Sequence, residues 1–158
     1  MVGYGPEGAE DMLARVSIVN YFGQVLLDAY VRPTARVTDW RTKYSGIRPA
    51  DVLNPDGTQP DDVANIAQSF DEVQKKVKEL ISGRILIGHS LQGDLTVLKL
   101  LHPKQKIRDT ALYEPFRTKY SSGKAPALKK VVEAELNVRV QHGEHDSVSP
   151  SRSQANVD

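Results

Sequence analysis

The chain has 158 residues, with 21 Lys and Arg against 20 Asp and Glu, and no cysteine. That length is one domain with room for a real core, and the near balance of charge demands neither a nucleic-acid nor a membrane partner. The absence of cysteine excludes a disulfide scaffold and Cys-based zinc sites. No apolar run reaches bilayer length, and the N-terminus lacks the basic and apolar regions of a signal peptide, so the sequence reads as a soluble intracellular α/β domain.

Residues 1–11 are Gly-rich and acidic without periodicity and read as a loop or frayed end. "LARVSIVN" alternates Leu13, Val16 and Ile18, "YFG" makes a turn and "QVLLDAYV" follows, which predicts a β-hairpin over 13–31. Residues 32–59 hold several Pro, Gly and Asp and are expected to be mostly loop, with one short helix near Asp51. From Asp61 the residues Val63, Ile66, Phe70, Val73, Val77 and Leu80 recur at helical spacing, with "PDD" as an acidic start and Gly83 as the stop. "RILIG" is apolar on both faces, as a central strand is. Residues 91–101 predict a helix with Leu91, Leu95, Leu98 and Leu101 on its stripe, "KIRDTALY" a weak strand and "APALKKVVEAEL" a further helix. The order β-β-α-β-α-β-α indicates a mixed sheet flanked by helices.

The stretch "ILIGHSLQGDL", 85–95, admits two chemistries. A nucleophile elbow needs small residues two before and two after its serine. Gly88 fits before Ser90, but Gln92 stands after it, and no histidine follows Asp146 in "HGEHDSVSP" as an α/β-hydrolase requires. Ser90 is better read as an N-cap whose hydroxyl accepts a backbone N–H of the next helix. The second chemistry belongs to Asp94. An aspartate in the first turn after a buried strand stands at the carboxyl edge of a sheet, where open α/β sheets place their ligands. Two-metal phosphodiester hydrolysis needs several such carboxylates and a base, and His145 is the candidate base. On spacing alone, Asp94 is more readily read as a dipole partner of its helix than as a metal ligand.

Several segments resemble one family: "MVGYGPEG", "LARVSIVN", "TDWRTKYSGIRPADV", "ILIGHSLQGDL", "HPKQKIRDTALYEPFR", "APALKKVVEAELNV" and "GEHDSV", in order from Met1 to Val148. By these the chain is similar to the RNA exonuclease 4 family, DEDDh-type 3′–5′ exonucleases with a ribonuclease H-like mixed sheet flanked by helices. The resemblance divides the chain into an exonuclease-like domain, 1–148, and a divergent tail, 149–158. It implies that Asp94 is the second-motif acid and ligates Mg²⁺ or Mn²⁺, and that His145 is the general base. It also implies that Arg41, Ser45, Gly46 and Ile47 approach the terminal nucleotides and that Met1 stands beside the ribose. A nuclear or nucleolar setting and ribosomal RNA processing belong to the same expectation, as does single-stranded RNA or DNA as a partner.

The departures fall on the chemistry. The family's first motif reads approximately Asp-Cys-Glu-Met-Val-Gly, and this chain begins at that Met. Five residues after His145, where relatives carry the last ligating Asp, stands Pro150. One carboxylate does not hold two hard cations, so bound metal is expected to be weak or absent. Glu7, Glu10 and Asp11, with Glu144 and Asp146, are the only nearby substitutes. The reading is therefore a degenerate pseudo-exonuclease that binds nucleic acid or a protein, with Arg41, Arg48, Lys104, Lys106, Arg108, Arg117, Lys119 and Lys124 as candidate phosphate contacts. The resemblance also implies a first central strand mostly missing, whose loss leaves sheet edges for a homodimer or a protein partner to complete. The alternatives are an active exonuclease with acids supplied from elsewhere, or a chain truncated at both ends by its gene model.

Overall fold

The computed structural model describes residues 1–53 and 67–138. They belong to two compact units, one ending at Val77 and one beginning at Lys78.

In the first unit the N-terminal residues are a strand, not the expected loop. β1 (Val2–Tyr4) pairs antiparallel with β2 (Glu10–Met12) on one side and with β5 (Val37–Asp39) on the other. Its Val2 is fully buried and joins Met12, Ala14 and Ile47 in a core flanked by Tyr4, Tyr30, Val37 and Trp40. The eleven-residue segment escapes a periodicity test because its strands are three residues long and wrap a single 3₁₀ turn at Pro6–Gly8. That turn needs glycine. A Cβ on Gly3 would stand 2.7 Å from the Gly8 carbonyl oxygen, and Gly8 itself has φ +70°.

The expected hairpin is present as β3 (Arg15–Val19) and β4 (Val25–Val31), antiparallel, with β6 (Ala67–Gln68) parallel to β4. Asn20 closes the turn by accepting the N–H groups of Phe22 and Gln24 on its side-chain oxygen. Between β4 and β6 come β5, α1 (Thr42–Ser45) and a 3₁₀ turn at Pro49–Asp51. The last is the short helix expected near Asp51; β5 and α1 lie in what the sequence presents as loop. α2 (Phe70–Ile81) begins later than its apolar periodicity suggests. Ala67 and Gln68 are a strand, Ser69 and Glu72 close a reciprocal cap, and the expected turns at 61–66 lie outside the described residues. The helix stops at Gly83, which has φ +73°, as expected.

In the second unit β7 (Leu86–Gly88) runs parallel to β8 (Ile107–Asp109), pairing Gly88 with Asp109. β7 is not buried on both faces: Ile85 is 59% and Ile87 67% exposed. α3 (Leu91–Val97) buries Leu95, and Leu98 follows buried, but the chain turns at Lys99 (φ 52°) and Leu101 is fully exposed, off the stripe. α4 (Glu114–Ser121), which periodicity does not reveal, starts with Pro115 in its first turn. It packs on α5 (Leu128–Leu136), with Glu135 accepting from the Tyr120 hydroxyl and Lys119.

Candidate functional site

The second unit carries Asp94 on α3, one turn after the corner that follows β7. The corner is tight. A Cβ on Gly88 would meet the Leu91 side chain at 2.5 Å, so the strand must end in glycine for Leu91 to fold back over it. Ser90 then takes the left-handed conformation, φ 60° and ψ 38°, and α3 begins.

Ser90 sits at the N-cap but does not act as the sequence suggests: its hydroxyl accepts no N–H of the first turn. Asp109 does so instead. Its Oδ1 accepts the N–H of Ser90 at 2.8 Å and of Ala111 at 2.9 Å, and its Oδ2 accepts that of Leu91 at 2.9 Å. Beside it, Thr110 Oγ1 lies 3.0 Å from the Gly88 carbonyl oxygen and 2.9 Å from His89 Nδ1. Nothing in the local sequence around Ser90 signals this acid, which comes from the next strand.

The Asp94 carboxylate reaches solvent. Crowding around it still removes enough water to push its carboxyl above the ordinary carboxylate range, and the Asp109 carboxylate adds to that shift. Because Asp94 keeps solvent contact, the effect is damped.

In the first unit, Arg41, Ser45, Gly46 and Ile47 gather around α1. Arg41 is left-handed (φ 48°), and its backbone N–H donates to Asp39 Oδ1 at 2.9 Å. Its guanidinium donates to Asp11 Oδ1 at 2.5 Å and to the Gly8 carbonyl at 2.7 Å, clamping the Pro6–Gly8 turn. Ser45 donates to the Trp40 carbonyl at 2.8 Å and accepts from the Ile47 N–H at 3.0 Å; Gly46 is left-handed at the end of α1. Ile47 is buried in the core cluster. Met1, about a third exposed, precedes β1. His145 lies outside the described residues.

Several of the candidate phosphate-binding cations also have protein partners. Lys106 donates to the Gly83 carbonyl and Arg108 to those of Gln105 and Ile107. Arg117 donates to the Gly123 carbonyl and Glu114, and Lys119 to Glu135.

The described donors do not assemble a two-ion site, and Glu144 and Asp146 lie outside the described residues. Among the described residues no three of His, Asp, Glu or Cys gather as metal ligands. Asp94 is a carboxylate at the expected corner, but Asp109 spends both oxygens on backbone N–H groups. Of the substitutes, Glu10 accepts from the Tyr4 hydroxyl at 2.5 Å and Asp11 is bound by Arg41. Mg²⁺ and Mn²⁺ want near-complete shells of oxygen donors, which these residues do not supply.

The mixed α/β fold that places Asp94 just past a strand-to-helix corner is of the ribonuclease H-like exonuclease class. Residues 3–151 match the RNase_T exonuclease profile, and the chain belongs to that exonuclease family. It is 48% identical to RNA exonuclease 4 of Kluyveromyces lactis over 96% of its length, which covers 48% of that protein. To RNA exonuclease 4 of Xenopus tropicalis it is 50% identical over 97% of its length, covering 34% of that protein, and to the human one 46% over 97%, covering 33%. The chain thus spans about half the length of the yeast relative and about a third of the vertebrate ones. Among solved structures, it is similar to the Saccharomyces cerevisiae Pan2 pseudoubiquitin hydrolase–RNA exonuclease module in complex with AAGGAA RNA. The TM-score there is 0.74 at 26% identity, covering 95% of this chain and 25% of that one.

Proposed function

We propose that this chain is an RNA exonuclease 4-like domain that binds single-stranded RNA or DNA ends but hydrolyses them poorly with its own residues. The observation that carries this reading is the commitment of its acids. By resemblance Pro150 occupies the place of the last ligating Asp, and the carboxylates of Asp109, Glu10 and Asp11 are each engaged within their own unit. Of the acids described at this corner, Asp94 is left as the carboxylate placed for a metal, by resemblance, with His145 as the base. By resemblance, Met1 and the segment of Arg41, Ser45, Gly46 and Ile47 approach the terminal nucleotides, Ile47 by anchoring that segment in the core rather than by facing the ligand. Since Arg41 is clamped to Asp11 and Gly8, it acts by holding that turn in place as much as by touching a phosphate. A nuclear or nucleolar setting, with ribosomal RNA as substrate, follows from the resemblance to RNA exonuclease 4.

Binding is tested by fluorescence anisotropy with a labelled single-stranded RNA across a salt series. An affinity that falls steeply with salt supports phosphate contacts. Binding to no oligonucleotide removes the nucleic-acid reading and turns attention to a protein partner or homodimer.

A second reading, an active exonuclease with carboxylates supplied by another chain or segment, has one observation in its favour. Loss of water around Asp94 raises its pKa, with the Asp109 carboxylate adding to the shift, and a bound cation would favour the ionised form again. It predicts metal-dependent removal of 3′ nucleotides that Asp94→Ala abolishes.

A further inference from the structure

We infer that Asp109 is a positioning residue for Asp94. Its carboxylate clasps the left-handed corner at Ser90 and thereby fixes where the first turn of α3 holds the Asp94 side chain. The inference rests on the reading of Asp94 as the nuclease-site carboxylate.

Parallel pairing of β8 with β7 delivers Asp109 beside Gly88, at the point where β7 ends. A left-handed conformation is costly for a residue with a Cβ and persists only where the surroundings over-determine it. At Ser90 the cost is met from outside its own side chain. The Ser90 and Leu91 N–H groups converge on the two oxygens of one carboxylate, and the Ala111 N–H anchors that carboxylate from the turn just after its own strand. The first N–H groups of a helix have no partner within it, so a bidentate acceptor there sets the direction in which the helix leaves the sheet. Thr110 holds the other side of the same corner through the Gly88 carbonyl and the His89 ring. Asp94 lies three residues beyond Leu91, on the same helical face and about 4.5 Å further along the axis. A tilt of the first turn therefore moves its carboxylate directly. The two acids at this corner divide the work: Asp109 faces the backbone, and Asp94 is left for the ligand.

The test is amide hydrogen exchange by NMR on the whole chain, as wild type, Asp109→Ala, Asp109→Asn and Ser90→Ala. The clasp predicts slow exchange at Ser90, Leu91 and Ala111 in the wild type. In Asp109→Ala all three accelerate about tenfold or more, as loss of a charge-assisted bond implies, while α5 amides do not change. Asp109→Asn presents one carbonyl oxygen and one amide nitrogen, so it protects Ser90 and Ala111 and leaves Leu91 fast. A general loss of stability would not make that residue-by-residue split. Ser90→Ala leaves all three slow. A single-stranded RNA added to the wild type shifts the Gly93–Leu95 signals, and in Asp109→Ala these shifts are lost. If Asp109→Ala does not fold, the Leu91 amide in Asp109→Asn decides. Wild-type exchange rates at Ser90 and Leu91 in Asp109→Ala, or unchanged RNA-induced shifts there, overturn the inference. RNA that moves no α3 signal in the wild type, with the exchange pattern intact, supports the clasp and counts against the RNA-binding reading alone.

Discussion

Asp94 and Asp109 show how one corner uses two carboxylates differently. Asp94 is crowded, so its carboxyl is more easily protonated in the folded than in the unfolded chain. Its contribution to stability therefore falls as pH rises from the ordinary carboxylate pKa through the raised folded value, and stays low above it. Asp94→Asn should make the chain slightly more stable than wild type at pH 7 and leave it equal in acid, as urea unfolding at both pH values would measure. A wild-type advantage at pH 7 would contradict this account of Asp94. Asp109 stabilises the corner through its hydrogen bonds. Asp109→Ala removes the acceptor of three N–H groups and should cost about 1–2 kcal/mol, whereas Ser90→Ala should cost less than about 0.5 kcal/mol. Paired urea melts would reveal the reverse ranking if Ser90 were the cap. The motif "ILIGHSLQGDL" made the placement of Asp94, just past a strand-to-helix corner, legible because strand, corner and helix are contiguous. Asp109 stayed hidden because its partner Ser90 is 19 residues away and meets it only once β7 and β8 pair.

At the scale of elements, the segments legible in the sequence were those long enough to show a period. The hairpin, α2 from Phe70 and α5 appear where the apolar spacing puts them. β1, β2 and β5 are three residues each, too short for alternation to register, and their burial comes from strands paired across the unit. β7 misleads in the other direction, because "RILIG" is apolar throughout while Ile85 and Ile87 are exposed. The start of α2 was also hidden, since Ser69 and Glu72 cap it beyond the acidic "PDD" at 60–62. Ser69→Ala should cost about 1 kcal/mol. Glu72 is held below its ordinary pKa first by its hydrogen bond from Ser69, so its part of the cap is present above the ordinary glutamate pKa and is lost as pH falls through the depressed value. The Ser69→Ala deficit should accordingly narrow in acid, and a thermal-melt series from neutral to acid pH that shows a constant deficit would refute the coupling. Gly88→Ala forces its methyl into Leu91 and should cost about 1–3 kcal/mol by overpacking, read as a lowered urea midpoint.

For the whole molecule, family and fold class were legible because the matching segments run in order along nearly all of the chain. What they left open is chemical, and we propose that it turns on the acids. The Tyr4–Glu10 and Arg41–Asp11 contacts turn would-be substitute ligands into structural groups, while Asp109 serves the backbone. The central claim is that this chain keeps the nuclease scaffold and one well-placed carboxylate without a complete metal site of its own. The measurement that meets it most directly is a gel assay of the purified 158-residue chain on 3′-extended single-stranded RNA and DNA with Mg²⁺ or Mn²⁺, beside Asp94→Ala and His145→Ala. The account predicts RNA that is shifted but intact. Stepwise 3′ shortening that both substitutions abolish would contradict it.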